Sequence, residues 1–117
     1  MKQMKGGIMY SQRDIVLIPF PYTDLTASKL RPAVIISNNE LNDYGDFICC
    51  LVTSNENSTG LIIEKKDFEN GSLPFKSWVK PYRIFTINGK IIRKKLCRIN
   101  IKSHGKIISF LCRYLKC

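Results

Sequence analysis

The stretch Ser28-Lys29-Leu30-Arg31-Pro32-Ala33-Val34-Ile35-Ile36-Ser37 decides the fold. It joins a polar loop carrying two cations to a run of apolar residues. Pro32 disfavours the helical region for the residue before it and pushes the backbone of Arg31 towards an extended conformation. The apolar run that follows reads as a buried strand over residues 32–37. Arg31 is therefore expected at the mouth of a core strand, on fixed backbone. That placement suits an arginine that holds a phosphate or a developing negative charge.

A second stretch matches it. Phe47-Ile48-Cys49-Cys50-Leu51-Val52 is another apolar run, and it ends in Thr53-Ser54-Asn55. If the two strand ends lie together, the site holds a guanidinium, two hydroxyls and an amide. It has no histidine and no carboxylate pair.

Working outward, 117 residues make one domain by the usual size prior. A hydrophobic fraction of 44% supports a packed core and argues against disorder. The net charge is +10 and lopsided: residues 1–60 hold five Lys/Arg and six Asp/Glu, whereas residues 61–117 hold fourteen and three. Such asymmetry points to an anionic partner, whether nucleic acid, membrane surface or acidic protein segment. The five cysteines include no Cys-x-x-Cys, so zinc and a disulfide framework are not expected. Adjacent Cys49 and Cys50 on a strand point to opposite faces and read as small core hydrophobes in a reducing compartment. No apolar leader opens the chain and no stretch approaches ~18 apolar residues, so a cytoplasmic location without membrane contact is expected.

Residues 1–12 read as a flexible lead-in to a single domain over 13–117. The first strand spans 14–20, and Pro19 and Pro21 make its end an edge or a bend. A polar loop covers 21–31, long enough to be functional. Residues 46–53 form a strand that is apolar on both faces and therefore central. A turn follows at 55–60, then a short strand at 61–64. Residues 65–73 hold a short helix or loop, and 76–88 read as one or two strands broken at Pro81. Asn88-Gly89 is a hairpin signal leading to a basic strand over 91–99. Asn100 can cap a terminal helix, in which Ile107, Ile108, Leu111 and Leu115 make the amphipathic stripe. Many short strands and one terminal helix predict a mainly β (α+β) fold, a small β-barrel with an appended helix.

Trp78 and Tyr82 lie among Lys76, Lys80 and Arg83, an interleaving of aromatics and cations that suits single-stranded bases. Trp78 is a candidate base contact, though a tryptophan there can equally fill the core. Lys80 is a candidate phosphate contact. The only histidine, His104, excludes a two-histidine acid–base ribonuclease within one chain and reads as structural. No Gly-rich phosphate loop and no cluster with metal spacing occurs, so neither metal nor cofactor is expected.

Asp14-Ile15-Val16, then Lys29-Leu30-Arg31-Pro32-Ala33-Val34-Ile35-Ile36-Ser37, then Leu51-Val52-Thr53-Ser54-Asn55 together resemble the MazF/PemK family of toxin endoribonucleases. Ser77-Trp78-Val79-Lys80-Pro81-Tyr82-Arg83 and Phe85-Thr86-Ile87-Asn88 resemble its PemK-like branch. The likeness runs from Asp14 to the C-terminus, with one departure at Arg13, where the family usually carries glycine. The resemblance implies an SH3-like barrel of the MazF/PemK/CcdB-like type. It implies a sequence-selective, metal-independent endoribonuclease, the toxin of a type II toxin–antitoxin system, that cuts single-stranded RNA to 2′,3′-cyclic phosphate and 5′-hydroxyl ends. It assigns catalysis to Arg31 and Thr53, and RNA contact to Lys29, Ser54, Asn55, Trp78 and Lys80 on the reading above. It also implies a homodimer and a cognate acidic antitoxin. The alternatives are a non-catalytic RNA-binding module, or a CcdB-like gyrase-inhibiting toxin. The last fits poorly, because the chain ends Arg113-Tyr114-Leu115-Lys116-Cys117 and not in that route's Trp-Gly-Ile.

Overall fold

The apolar runs become strands because the sheet they form is buried on both sides. The structure, a computed structural model, describes residues 10–20, 29–55 and 59–116. Its strands are β1 (Asp14–Phe20), β2 (Lys29–Ile35), β3 (Asp46–Thr53), β4 (Leu61–Ile63), β5 (Phe68–Asn70), β6 (Ser77–Asn88) and β7 (Lys94–Ile99), with a short helix α1 (Asn39–Asn42) and a terminal helix α2 (Ile101–Leu115). They form one sheet in the order β4-β6-β3-β2-β1-β7-β5, and every neighbouring pair is antiparallel. Successive side chains point to opposite faces. Ile15, Val34, Cys50, Val52 and Ile99 therefore pack on one face with Ile107 of α2. Val16, Ala33, Ile35, Phe47 and Cys49 pack on the other. Extents of 39 × 35 × 34 Å are those of a curled sheet, since a flat one would be thin in one direction. This is the predicted small barrel with its C-terminal helix, in half-barrel form. Its two end strands, β4 and β5, are joined through a 3-10 turn at Lys65–Asp67.

The cysteines behave as core hydrophobes. Cys49, Cys50 and Cys97 are buried and free, and Cys112 is exposed. Burial pushes the thiols of Cys49 and Cys50 up to about 12 and that of Cys97 up to about 11, which suppresses the reactive thiolate.

Four local expectations change. β2 begins at Lys29 and ends at Ile35, so Arg31 lies inside the strand, paired with Ile18, and not at its mouth. Of the loop predicted over 21–31, residues 21–28 lie outside the described residues, as do 1–9 of the lead-in. β5 was expected as helix or loop; it forms because Phe68 and Asn70 add to the free side of β7. β6 runs unbroken through Pro81, but its register on β3 jumps from Ile84 to Lys80 across Cys50/Leu51. The proline, lacking an N–H, is absorbed in that bulge. Finally, Asn88-Gly89 makes no hairpin. The Asn88 side chain accepts from the Lys90 N–H and caps a 3-10 turn, Gly89–Ile91. β7 then crosses to pair with β1 and β5. Gly89 is needed there, because a Cβ would stand 2.8 Å from the Phe47 ring.

Pro19 and Pro32 sit where ladders end. β7 pairs with β1 no further than Leu17, and β3 pairs with β2 only from Ala33 inward. In α2, Asn100 caps the helix by accepting from the Ser103 N–H, as predicted. His104 Nε2 lies 3.2 Å from the Ile36 carbonyl oxygen, a structural role. Leu115 leaves the predicted apolar stripe and is exposed, whereas Ile107, Ile108 and Leu111 meet the core.

The departure at Arg13 has a visible compensation. Arg13 adopts φ +83°, a region that favours glycine. Its guanidinium donates to the Ile99 carbonyl and pairs with Glu69. Arg13→Gly removes both strain and bonds and is expected to change stability by less than about 0.5 kcal/mol, whereas Arg13→Ala keeps the strain and should cost about 1–2 kcal/mol. Urea titration of the two variants measures the difference.

Candidate nucleic-acid interface

β1, β2 and β3 bring the two singled-out stretches together. Continuing the β2–β3 register two residues beyond its last pair, Ala33 with Leu51, sets Arg31 opposite Thr53. Both belong to the walls of one cleft of about 490 Å³. Lys29, Ser54, Lys94, Leu17, Pro32, Val52 and Leu96 also line it. Strand alternation turns Pro32 and Val52 to the Val34 face of the sheet and the Arg31 and Thr53 side chains to the Ala33 face. Three cations and no carboxylate stand among these lining residues, so the described walls of the cleft carry positive charge only.

Arg31 is half-buried, and its guanidinium makes no ion pair or hydrogen bond among the described residues. A guanidinium on a paired strand, at reduced solvent exposure and with no partner among the described residues, has the planar donor geometry that an oxyanion needs. Thr53 is half-buried at the end of β3. Its Oγ1 accepts the backbone N–H of Asn55 at 3.2 Å. That bond fixes the hydroxyl oxygen and leaves its own proton to donate. Asn55 thus helps orient Thr53 through its backbone.

Three sequence candidates, Asn55, Trp78 and Lys80, are not among the residues that line this cleft, although Trp78 is the cross-strand neighbour of Thr53 and shares its face of the sheet. Trp78 is half-buried on β6, in register with Thr53 on one side and Ile62 on the other, and is not among the cleft's lining residues. Lys80 opposes Leu51 and sits beside Tyr82. The Tyr82 hydroxyl is held below its usual range by its hydrogen bond with Thr59, then by Lys80 and Arg83. Sequence reading missed Lys94, which β7's crossover to β1 brings in, and Leu73-Pro74-Phe75, which form one rim. The Leu-Pro-Phe-Lys run ahead of Ser77 was the available signal. Among the described residues no three His, Cys, Asp or Glu side chains converge as a metal-binding group, and no helix is long and apolar enough to cross a membrane.

Residues 11–115 match the family described as PemK-like, MazF-like toxin of type II toxin-antitoxin system. No curated protein matches the chain. Among solved structures, MazF from Deinococcus radiodurans superposes with a TM-score of 0.72 at 17% identity, covering 93% of this chain and 98% of that one. A MazE–MazF complex from the same organism gives 0.67 at 18%, covering 92% and 97%. An endoribonuclease in complex with its cognate antitoxin from a Mycobacterial species gives 0.65 at 16%, covering 90% of each. At these identities the likeness establishes the fold.

Proposed function

The chain belongs to the PemK-like, MazF-like toxin family, and on that premise we propose that it is a sequence-selective endoribonuclease acting on single-stranded RNA without a metal ion. The observation that carries this reading is the continued β2–β3 register that sets Arg31 beside Thr53, at a cleft whose charged lining residues, among those described, are all cations. The substrate's 2′-oxygen attacks the adjacent phosphorus. A 2′-oxygen–phosphorus bond forms and the bond to the 5′-oxygen breaks, leaving a 2′,3′-cyclic phosphate and a 5′-hydroxyl. Water takes the 2′ proton and returns one to the leaving oxygen.

The Arg31 guanidinium neutralises the phosphate as negative charge builds on its oxygens. The Thr53 hydroxyl donates to the same group. Positioning of the 2′-oxygen in line with the leaving oxygen supplies the rest. Lys29 and Ser54 sit where they can hold neighbouring phosphates. DNA lacks the nucleophile and is inert.

The working unit in this reading is a homodimer with a cognate acidic antitoxin that competes for the cationic cleft. Deinococcal and Mycobacterial structures of this fold are complexes with MazE and with a cognate antitoxin. The exposed pair Tyr82 and Tyr114, with ring centroids 6.2 Å apart, supplies an apolar surface for such an interface.

The test is incubation of the pure protein with single-stranded RNA in excess EDTA. Cleavage is expected, and its absence counts against the reading. With about four phosphates neutralised, log affinity for RNA should fall against log salt with a slope near about −3. Titration of a 2′-O-methylated RNA at several salt concentrations measures it, and a flat response contradicts the electrostatic role of the cleft.

A further inference from the structure

Phe75 is 72% exposed, the most exposed phenylalanine among the described residues. It stands on the ridge between two cavities. One is the Arg31–Thr53 cleft, and the other, also about 490 Å³, is lined by Ile62, Glu64, Lys65, Phe68, Lys76 and the same ridge. Both fall within the size range of ligand pockets. Across the two, five cations face one carboxylate, Glu64.

The ring is exposed but its backbone is held. The loop leaves β5 through Gly71 at φ +73°, where an added Cβ would stand 3.0 Å from Cys97 Cβ. Leu73 packs against the core. Pro74 limits the chain just before the ring. The buried Ser77 hydroxyl donates to the Phe75 carbonyl at 2.8 Å. Two cationic cavities separated by a flat, apolar, positioned ring match a strand whose phosphates are charged and whose bases have apolar faces.

Resting on the ribonuclease reading above, we propose that Phe75 is the stacking platform for a base flanking the cleaved phosphate, dividing the groove into two nucleotide subsites. The strand then runs from the Arg31–Thr53 cleft over the ring into the second cavity, where Lys65 and Lys76 meet the next phosphate. Phe75 is thus a positioning residue: it sets which ribose lies in line at Arg31.

The experiment measures binding of short, random-sequence, fully 2′-O-methylated single-stranded RNA, together with cleavage of the unmodified RNA. Phe75→Ala is expected to weaken binding about 5- to 150-fold, the range of a lost base–aromatic stack. The salt slope should stay unchanged, because no phosphate contact is lost. Phe75→Trp should retain binding, and Phe75→Leu, apolar but not flat, should lose most of it. Phe75→Ala and Phe75→Trp should also shift the distribution of cut sites on a long RNA. Wild-type cleavage with undiminished binding by Phe75→Ala overturns the proposal and leaves the ribonuclease reading standing. So does full binding by Phe75→Leu. If Phe75→Ala splits an oligomer in sedimentation, the ring is an interface between copies and the proposal falls. If the wild type neither binds nor cuts RNA, the functional reading itself falls and takes the platform with it.

Discussion

Arg31→Ala is expected to slow RNA cleavage by about 10²–10³-fold, the effect of removing one preorganised charge donor from a developing oxyanion. The guanidinium is half-buried on a paired strand, and the continued β2–β3 register sets it beside Thr53. In the proposed reaction it would contribute more than a surface cation. Its loss should fall mainly on the single-turnover rate and less on RNA affinity, since Lys29 and Lys94 remain in the same walls. Arg31→Lys keeps the charge but not the planar fork, and should recover only part of the rate. Both variants should fold like the wild type, because the side chain makes no bond among the described residues. Single-turnover kinetics with unfolding curves for each variant check this. A variant as fast as the wild type removes Arg31 from the chemistry.

The largest stability effect is expected at the opposite end of β1. Asp14 is fully buried, and Arg98 Nε donates to its Oδ1 at 2.9 Å. Lys95 Nζ stands 3.5 Å away, and the Ser11 N–H donates to Oδ2. Arg98 also reaches Ser11 Oγ and Glu69. Arg98→Ala strips the main partner from a carboxylate with no access to water. Breaking a buried pair from one side typically costs about 3–5 kcal/mol. With Lys95 and Ser11 still in place, a loss of about 3 kcal/mol is expected, which lowers Tm by on the order of 10 °C for a domain of this size. Replacing both partners, as in Asp14→Leu with Arg98→Met, should recover much of that loss, because no charge is then left buried. Differential scanning calorimetry of the single and double variants measures the coupling. In the proposed function the network also supports the cleft. It clamps β1 to β7, and β1 carries Ile18 opposite Arg31 while β7 carries Lys94.

Much of this was legible in the sequence, and the reason is physical. Runs such as 47–52 are apolar without alternation because both faces of the sheet are covered, so they stand out even without a helical or strand period. The closeness of Arg31 and Thr53 was legible because each terminates such a run. Asn100 was legible because a cap is a local interaction. What stayed hidden depended on partners far away in the chain. Phe68 and Asn70 become a strand only because β7 offers a free side. Asn88-Gly89 has the local chemistry of a hairpin, but the chain spends it on a capped turn and a crossover. That crossover delivers Lys94 to the cleft, and no local pattern announces it. Trp78 and Lys80 stood out by spacing alone; β6 sets Trp78 in register with Thr53 and Lys80 with Leu51, while neither is among the lining residues of the cleft. The positive φ of Arg13 was half visible, as a departure from the family's glycine, and the ion pair that holds it was not.

In the proposed reaction one phosphodiester is attacked by its own ribose between a guanidinium and a threonine hydroxyl. End-group analysis by mass spectrometry, on RNA cut by the pure protein in excess EDTA, tests that most directly. The expected products carry a 2′,3′-cyclic phosphate and a 5′-hydroxyl, and a single 2′-deoxy substitution at a mapped site abolishes the cut there. Products with 5′-phosphate ends, or a cut that survives removal of the 2′-hydroxyl, contradict it.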